Sequence, residues 1–157
     1  MGKTTSDHTH WNRRTLLVAV SGAALSACLT PTASATPEEM TQTIRTLFGD
    51  RPINEGRVRV KLPPIAENGN SVSIDISVDS PMTGNDHVRQ IVIFSPRNPI
   101  TTIAQFQFGP HAGRADVSTR VRLAGTQALL VVAEMSDGTL WSGRASTYVT
   151  LAACVIG

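Results

Sequence analysis

Asn68-Gly69-Asn70-Ser71-Val72-Ser73-Ile74-Asp75-Ile76-Ser77-Val78 is the stretch that decides the fold class. Val72, Ile74, Ile76 and Val78 alternate with Ser71, Ser73, Asp75 and Ser77. A period of two puts the apolar side chains on one face of a strand and the polar ones on the other, so one face enters a core and one meets water. Asn68-Gly69-Asn70 is a strong turn signal at its start. Before that turn, Val58, Val60 and Leu62 alternate with Arg57, Arg59 and Lys61 in the same way.

Downstream the pattern repeats. Residues 88–94 and 128–133 are denser apolar runs, suited to central strands buried more deeply. Ala104, Phe106 and Phe108 form another alternating set, as do Val117, Val121 and Leu123. Asp137-Gly138 predicts a hairpin joining residues 128–135 to 140–143, and residues 148–151 close the series. Ser80-Pro81, Ser95-Pro96, Asn98-Pro99 and Gly109-Pro110 fall between runs, where a missing N–H does no harm. One helix precedes the strands. Thr36 is its N-cap, Pro37 its first residue, and Glu39 reaches back to the cap; Met40, Ile44 and Leu47 form the apolar stripe before Gly49. Seven or eight short strands with no second helix predict an all-β protein: an immunoglobulin-like antiparallel β-sandwich behind a short N-terminal helix. The intersheet cysteine pair common in such sandwiches is absent.

The chain has 157 residues, 41% hydrophobic and 17% charged, enough for one domain with its own core. Residues 1–35 hold Lys3, Arg13, Arg14 and Asp7, which leaves 11 basic and 11 acidic residues in the remainder. A chain without a concentrated basic face is poorly equipped to bind nucleic acid.

The first 35 residues read as an export signal. Arg13-Arg14 precedes an uncharged stretch over residues 16–27 and then small residues, an order that fits the twin-arginine route. That stretch is too short to span a bilayer. Two processing outcomes are open. Ala33-Ser34-Ala35 is a cleavage site that releases a soluble protein starting at Thr36, whereas Leu25-Ser26-Ala27-Cys28 resembles a lipoprotein box that would anchor the chain through Cys28. The expected organisation is a signal over residues 1–35 and a sandwich domain over 36–157, located in the periplasm. Myristoylation at Gly2 and prenylation of Cys154-Val155-Ile156-Gly157 match by pattern only, because export removes the chain from the enzymes concerned.

Once the signal is removed, Cys154 is the sole thiol, in a compartment that oxidises thiols. A buried cysteine filling space in the last strand is the plain structural alternative. Its position near the end of the sequence favours a nucleophile presented on a tail. With Leu151 taken as the last fixed residue, three residues reach about 10 Å. Such a tail lacks the fixed geometry of a catalytic site and suits a covalently loaded carrier. No basic residue lies within nine positions of Cys154. An ordinary thiol, only a few per cent ionised at neutral pH, then depends on a partner's active site for activation.

The other candidates are weaker. His87 and His111 have Asp86 and Asp116 nearby but no metal-ligand spacing, so neither metal nor cofactor is expected. A dyad of Cys154 with a histidine would make the protein a cysteine-dependent enzyme. Arg57, Arg59 and Lys61, and separately Arg120 and Arg122, read as solvated strand faces or as patches that dock a partner.

Several segments together resemble a known family. They are the twin-arginine signal, Leu62-Pro63-Pro64-Ile65-Ala66-Glu67-Asn68-Gly69 leading to Val72-Ser73-Ile74, Ser80-Pro81-Met82, and Phe94-Ser95-Pro96-Arg97-Asn98-Pro99. Val117-Ser118-Thr119-Arg120-Val121-Arg122-Leu123-Ala124, Ala133-Glu134-Met135-Ser136-Asp137-Gly138 and the near-terminal Cys154 complete the set. In this order they resemble SoxY, the sulfur-carrier subunit of bacterial sulfur oxidation. The resemblance implies a periplasmic, non-enzymatic immunoglobulin-like sandwich paired with a SoxZ-like subunit. It also implies that separate periplasmic enzymes load, oxidise and release sulfur species, thiosulfate-derived ones among them, held covalently on Cys154. The family's arm is typically Gly-Gly-Cys-Gly-Gly; here Ala152-Ala153 precede the cysteine and Val155-Ile156-Gly157 follow it, a stiffer set of flanks. A structural or binding subunit without carrier duty is the alternative that this departure keeps open.

Overall fold

The computed structural model describes residues 35–153. The stretch expected to be an export signal, with Cys28 in it, lies outside them except for Ala35, and so does Cys154. The chain divides into two units, Met1–Thr32 and Ala33–Gly157, and the described residues belong to the second.

Helix α1, Pro37–Phe48, starts where its cap chemistry places it. The Glu39 N–H donates to Thr36 Oγ1 at 3.2 Å, and the Thr36 N–H donates to Glu39 Oε2 at 3.0 Å. Two donors that the first turn would otherwise leave unpaired are thereby satisfied. Gly49, at φ +71°, ends the helix, its N–H donating to the Arg45 carbonyl. The apolar stripe differs from the one expected. Leu47 is 42% exposed and Phe48 is 3% exposed, because the contact line runs at i+4 through Met40, Ile44 and Phe48.

Nine strands follow: β1 Ile53–Glu55, β2 Val58–Lys61, β3 Ile65–Asn68, β4 Val72–Val78, β5 Val88–Phe94, β6 Thr102–Gln107, β7 Ala115–Val121, β8 Gln127–Met135 and β9 Leu140–Leu151. One sheet has the order β1-β9-β8-β5-β6 with β3 also on β9; the other is β2-β4-β7. The β4 alternation is realised in full, with Val72, Ile74, Ile76 and Val78 all buried against the larger sheet.

The two dense apolar runs have a specific cause. On β5 and β8, Ile91, Ile93, Leu129, Val131 and Ala133 face the space between the sheets, while Val92, Phe94, Leu130 and Val132 face α1. Phe48 meets Phe94 edge to face, with ring centroids 6.4 Å apart. A strand covered on both faces has no polar face to alternate with. Val88–Phe94 pairs with β6 on one side and β8 on the other, so it offers no edge to a partner.

Three features depart from the sequence reading. Residues 140–143 and 148–151 are the two ends of one twelve-residue strand, β9, rather than separate strands. Gly143 allows it to pass the smaller sheet, since a Cβ there would strike the Val58 carbonyl. The short strands β1 and β3 were not apparent as strands, and both pair with β9 in parallel, the exceptions to antiparallel pairing. Arg57 is not on a strand face: it sits at φ +48° in the turn before β2, 5.0 Å above the Trp141 ring.

Candidate functional site at the root of the Cys154 arm

The chain is fixed to within one residue of Cys154. Leu151 is not the last fixed residue, as the sequence suggested, because the Ala153 N–H donates to the Leu123 carbonyl at 3.0 Å and Ala153 is buried. The Leu123 N–H in turn donates to the Gly69 carbonyl at 2.8 Å, and the Gly69 N–H to the Leu151 carbonyl at 2.7 Å. Three segments distant in sequence thus close a ring of backbone hydrogen bonds around the root of the arm. Gly69 permits it: a Cβ there would lie 2.8 Å from Ala153 N and 3.1 Å from Leu151 O, and closer still to the Leu123 carbonyl. The turn read at Asn68-Gly69-Asn70 is present, with the Asn70 N–H donating to Asn68 Oδ1. Its glycine serves close approach as well as turning.

Behind the ring lies a buried polar network. Ser95 Oγ donates to Gln127 Oε1 at 2.6 Å, and Gln127 Nε2 donates to Asn98 Oδ1 at 3.2 Å. Asn98 Nδ2 donates to the Arg122 carbonyl and Asn98 Oδ1 accepts from the Ala124 N–H. Three of the segments that carried the family resemblance, 62–69, 94–99 and 117–124, therefore meet at this one place. Sequence reading missed Gly69, Ser95, Asn98 and Gln127 as site residues. Their contribution is mostly to backbone groups, which leave no periodicity to detect.

The histidines are not brought near it. β8 runs from Gln127, beside the root, to Met135, whose next residue donates its N–H to the His87 carbonyl. At about 3.3 Å per residue His87 lies about 25 Å from the root. His111 sits in a single turn of 3₁₀ helix, Pro110–Ala112, before the far end of β7. His87 Nδ1 lies 3.1 Å from the Thr83 carbonyl and Asp116 pairs with Arg114 at 2.8 Å, so these groups do not converge. Among the described residues no three His, Cys, Asp or Glu side chains are placed to hold a metal ion. Arg120 donates to Ser71 across the small sheet.

The end of the sandwich that holds His87 is electrostatically distinct. Burial there penalises the Glu134 carboxylate. Hydrogen bonds from Arg51 at 2.9 Å and Gln90 at 2.6 Å, with the charges of Arg51 and Arg89, outweigh that and hold its pKa below the ordinary value. Asp137, in the β8–β9 turn, is held low by hydrogen bonds from the Thr139 backbone and hydroxyl.

The described residues form an immunoglobulin-like sandwich backed by a helix, and beyond the last strand the chain is held by backbone hydrogen bonds up to Ala153, the residue before a cysteine. Residues 44–154 match the family described as sulfur oxidation protein SoxY. The chain belongs to the SoxY family. It is 32% identical to the sulfur carrier protein SoxY from Chlorobium limicola f thiosulfatophilum, covering 74% of this chain and 100% of that one at a TM-score of 0.62. A superoxide reductase (neelaredoxin) from Ignicoccus hospitalis shares the fold at 17% identity and a TM-score of 0.52, over 73% of this chain and 94% of that one. No curated protein sequence matches the chain.

Proposed function

We propose that the protein is a non-enzymatic carrier that works in the periplasm and holds sulfur intermediates on Cys154 through an S–S bond. The observation that carries this reading is the ring that fixes the chain through Ala153 and hands Cys154 to the next position. A thiol intended for several enzymes needs a defined point of departure and free surroundings, whereas a thiol intended for catalysis needs a base held beside it. Forming the S–S bond removes two electrons and the thiol proton, so separate periplasmic enzymes must load the carrier and accept those electrons. The match to SoxY, which extends to residue 154, supports the same role.

A SoxZ-like subunit is the proposed partner. Its support is the outer flank of the larger sheet, where Ile65 on β3 and its register partner Tyr148 on β9 are 63% and 61% exposed. Export by the twin-arginine route completes the reading.

Intact mass of protein taken from its own periplasm, during growth on reduced sulfur, tests the proposal. Sulfur-containing additions should map to the peptide bearing Cys154, and Cys154→Ser should abolish them while leaving the unfolding midpoint unchanged. A uniformly free thiol under those conditions would instead mark a binding subunit without carrier duty.

A further inference from the structure

We infer that Asn98 is the positioning residue of the arm, an inference that rests on reading Cys154 as the carrier thiol. Asn98 is 7% exposed and lies in the connection between β5 and β6. Its Nδ2 donates to the Arg122 carbonyl at 2.8 Å, and its Oδ1 accepts from the Ala124 N–H at 3.0 Å. These are the two neighbours of Leu123. One carboxamide therefore grips the chain on both sides of Leu123 and leaves that residue's own N–H and carbonyl to hold Gly69 and Ala153.

Asn98 is itself held on every side. Its N–H donates to Ser95 Oγ at 3.0 Å, its carbonyl accepts from the Ala35 N–H at 3.2 Å, and Oδ1 also accepts from Gln127 Nε2. The site needs a donor and an acceptor on one short planar group. Alanine supplies neither. An aspartate would set a charged oxygen against the Arg122 carbonyl, but a protonated aspartic acid restores the donor and acceptor pair. Asn98 thus sets where the arm begins, and so where Cys154 is presented.

Amide hydrogen exchange on the purified full chain, read residue by residue, tests this with Asn98→Ala and Asn98→Asp. Asn98→Ala should speed exchange at Gly69, Leu123 and Ala153 about tenfold or more while the Val92 and Val131 amides hold their protection. Asn98→Asp should match Asn98→Ala at pH 7 and recover protection at the root, after correction for intrinsic rates, once its carboxyl is protonated. In sulfur-oxidising cells, Asn98→Ala should slow loading of Cys154 several-fold. Equal loss of protection in root and core, no loss at the root, or selective loss with an unchanged loading rate would each overturn the inference. Absence of any adduct in the unsubstituted protein would sink the carrier reading instead and leave the exchange result standing.

Discussion

The two ends of the sandwich are held by different physics. At the β8–β9 turn, Arg51 spans three elements: its Nε donates to the Phe48 carbonyl, and Nη1 donates both to Glu134 and to the Gly138 carbonyl. Removing that one ion pair loosens the helix, the turn and β8 together. At the arm root, at the other end of the nine-residue β8, the groups that close the ring and the network behind it are amides, hydroxyls and backbone, with the Arg97 guanidinium donating to the Thr126 carbonyl beside them. The network of Ser95, Asn98 and Gln127 is neutral and keeps its geometry across the pH range in which carboxylates titrate. On the proposed carrier reading the contrast is useful: the amide and hydroxyl network behind the root of the arm contains no carboxylate, and the end that relies on one lies far from it.

Two substitutions test the contrast, the stronger first. Gly69→Ala places a methyl group against three backbone atoms that cannot rotate away. Overpacking against backbone should cost about 3 kcal/mol in urea unfolding, and the cost should be the same at pH 7 and pH 4. Arg51→Met leaves the Glu134 carboxylate, 8% exposed, without its cation. Because Arg51 itself is 39% exposed, a loss of about 2 kcal/mol at pH 7 is expected rather than the full cost of a buried pair. Here the sign depends on pH. Glu134 has a folded pKa depressed below 4.5, so its contribution is present above that value and is lost as pH falls through the folded pKa. The penalty of Arg51→Met should therefore shrink in acid. If the Gly69→Ala penalty shrinks in step with it, the arm end is not the neutral structure described.

Much of the fold is legible in the sequence because side chains write it there. The β4 alternation, the Thr36–Glu39 cap and the two-sided β5 and β8 runs each leave a pattern in residue type. Strands β1 and β3 do not, since three or four residues paired in parallel at an edge show no alternation. The middle of β9 is hidden for another reason: Ser142, Gly143, Arg144 and Ser146 are polar or small where the strand crosses open surface and the smaller sheet. Cys154 stands out as the one cysteine after residue 35, but the ring at its root does not. Gly69, Leu123 and Ala153 meet through main-chain groups that every residue possesses, and only the fold brings them together.

The smallest expected effect probes whether the neutral end is complete. Thr147 is 2% exposed and lies on β9 opposite Gln127, whose carboxamide is engaged by Ser95 and Asn98. Its Oγ1 has no hydrogen-bond partner among the described residues. A buried hydroxyl that gave up water without finding a partner costs about 1–3 kcal/mol, while a methyl group of the same shape has nothing to lose. Thr147→Val should therefore stabilise the protein by about 1 kcal/mol, raising the melting midpoint by about 3 °C. Thr147→Ser, which keeps the hydroxyl and gives up the methyl, should move it the other way. Were Thr147→Val to destabilise instead, the hydroxyl would have to be held by a buried water joined to the Gln127 and Asn98 network. The neutral network would then extend beneath β9, the strand that leads into the arm.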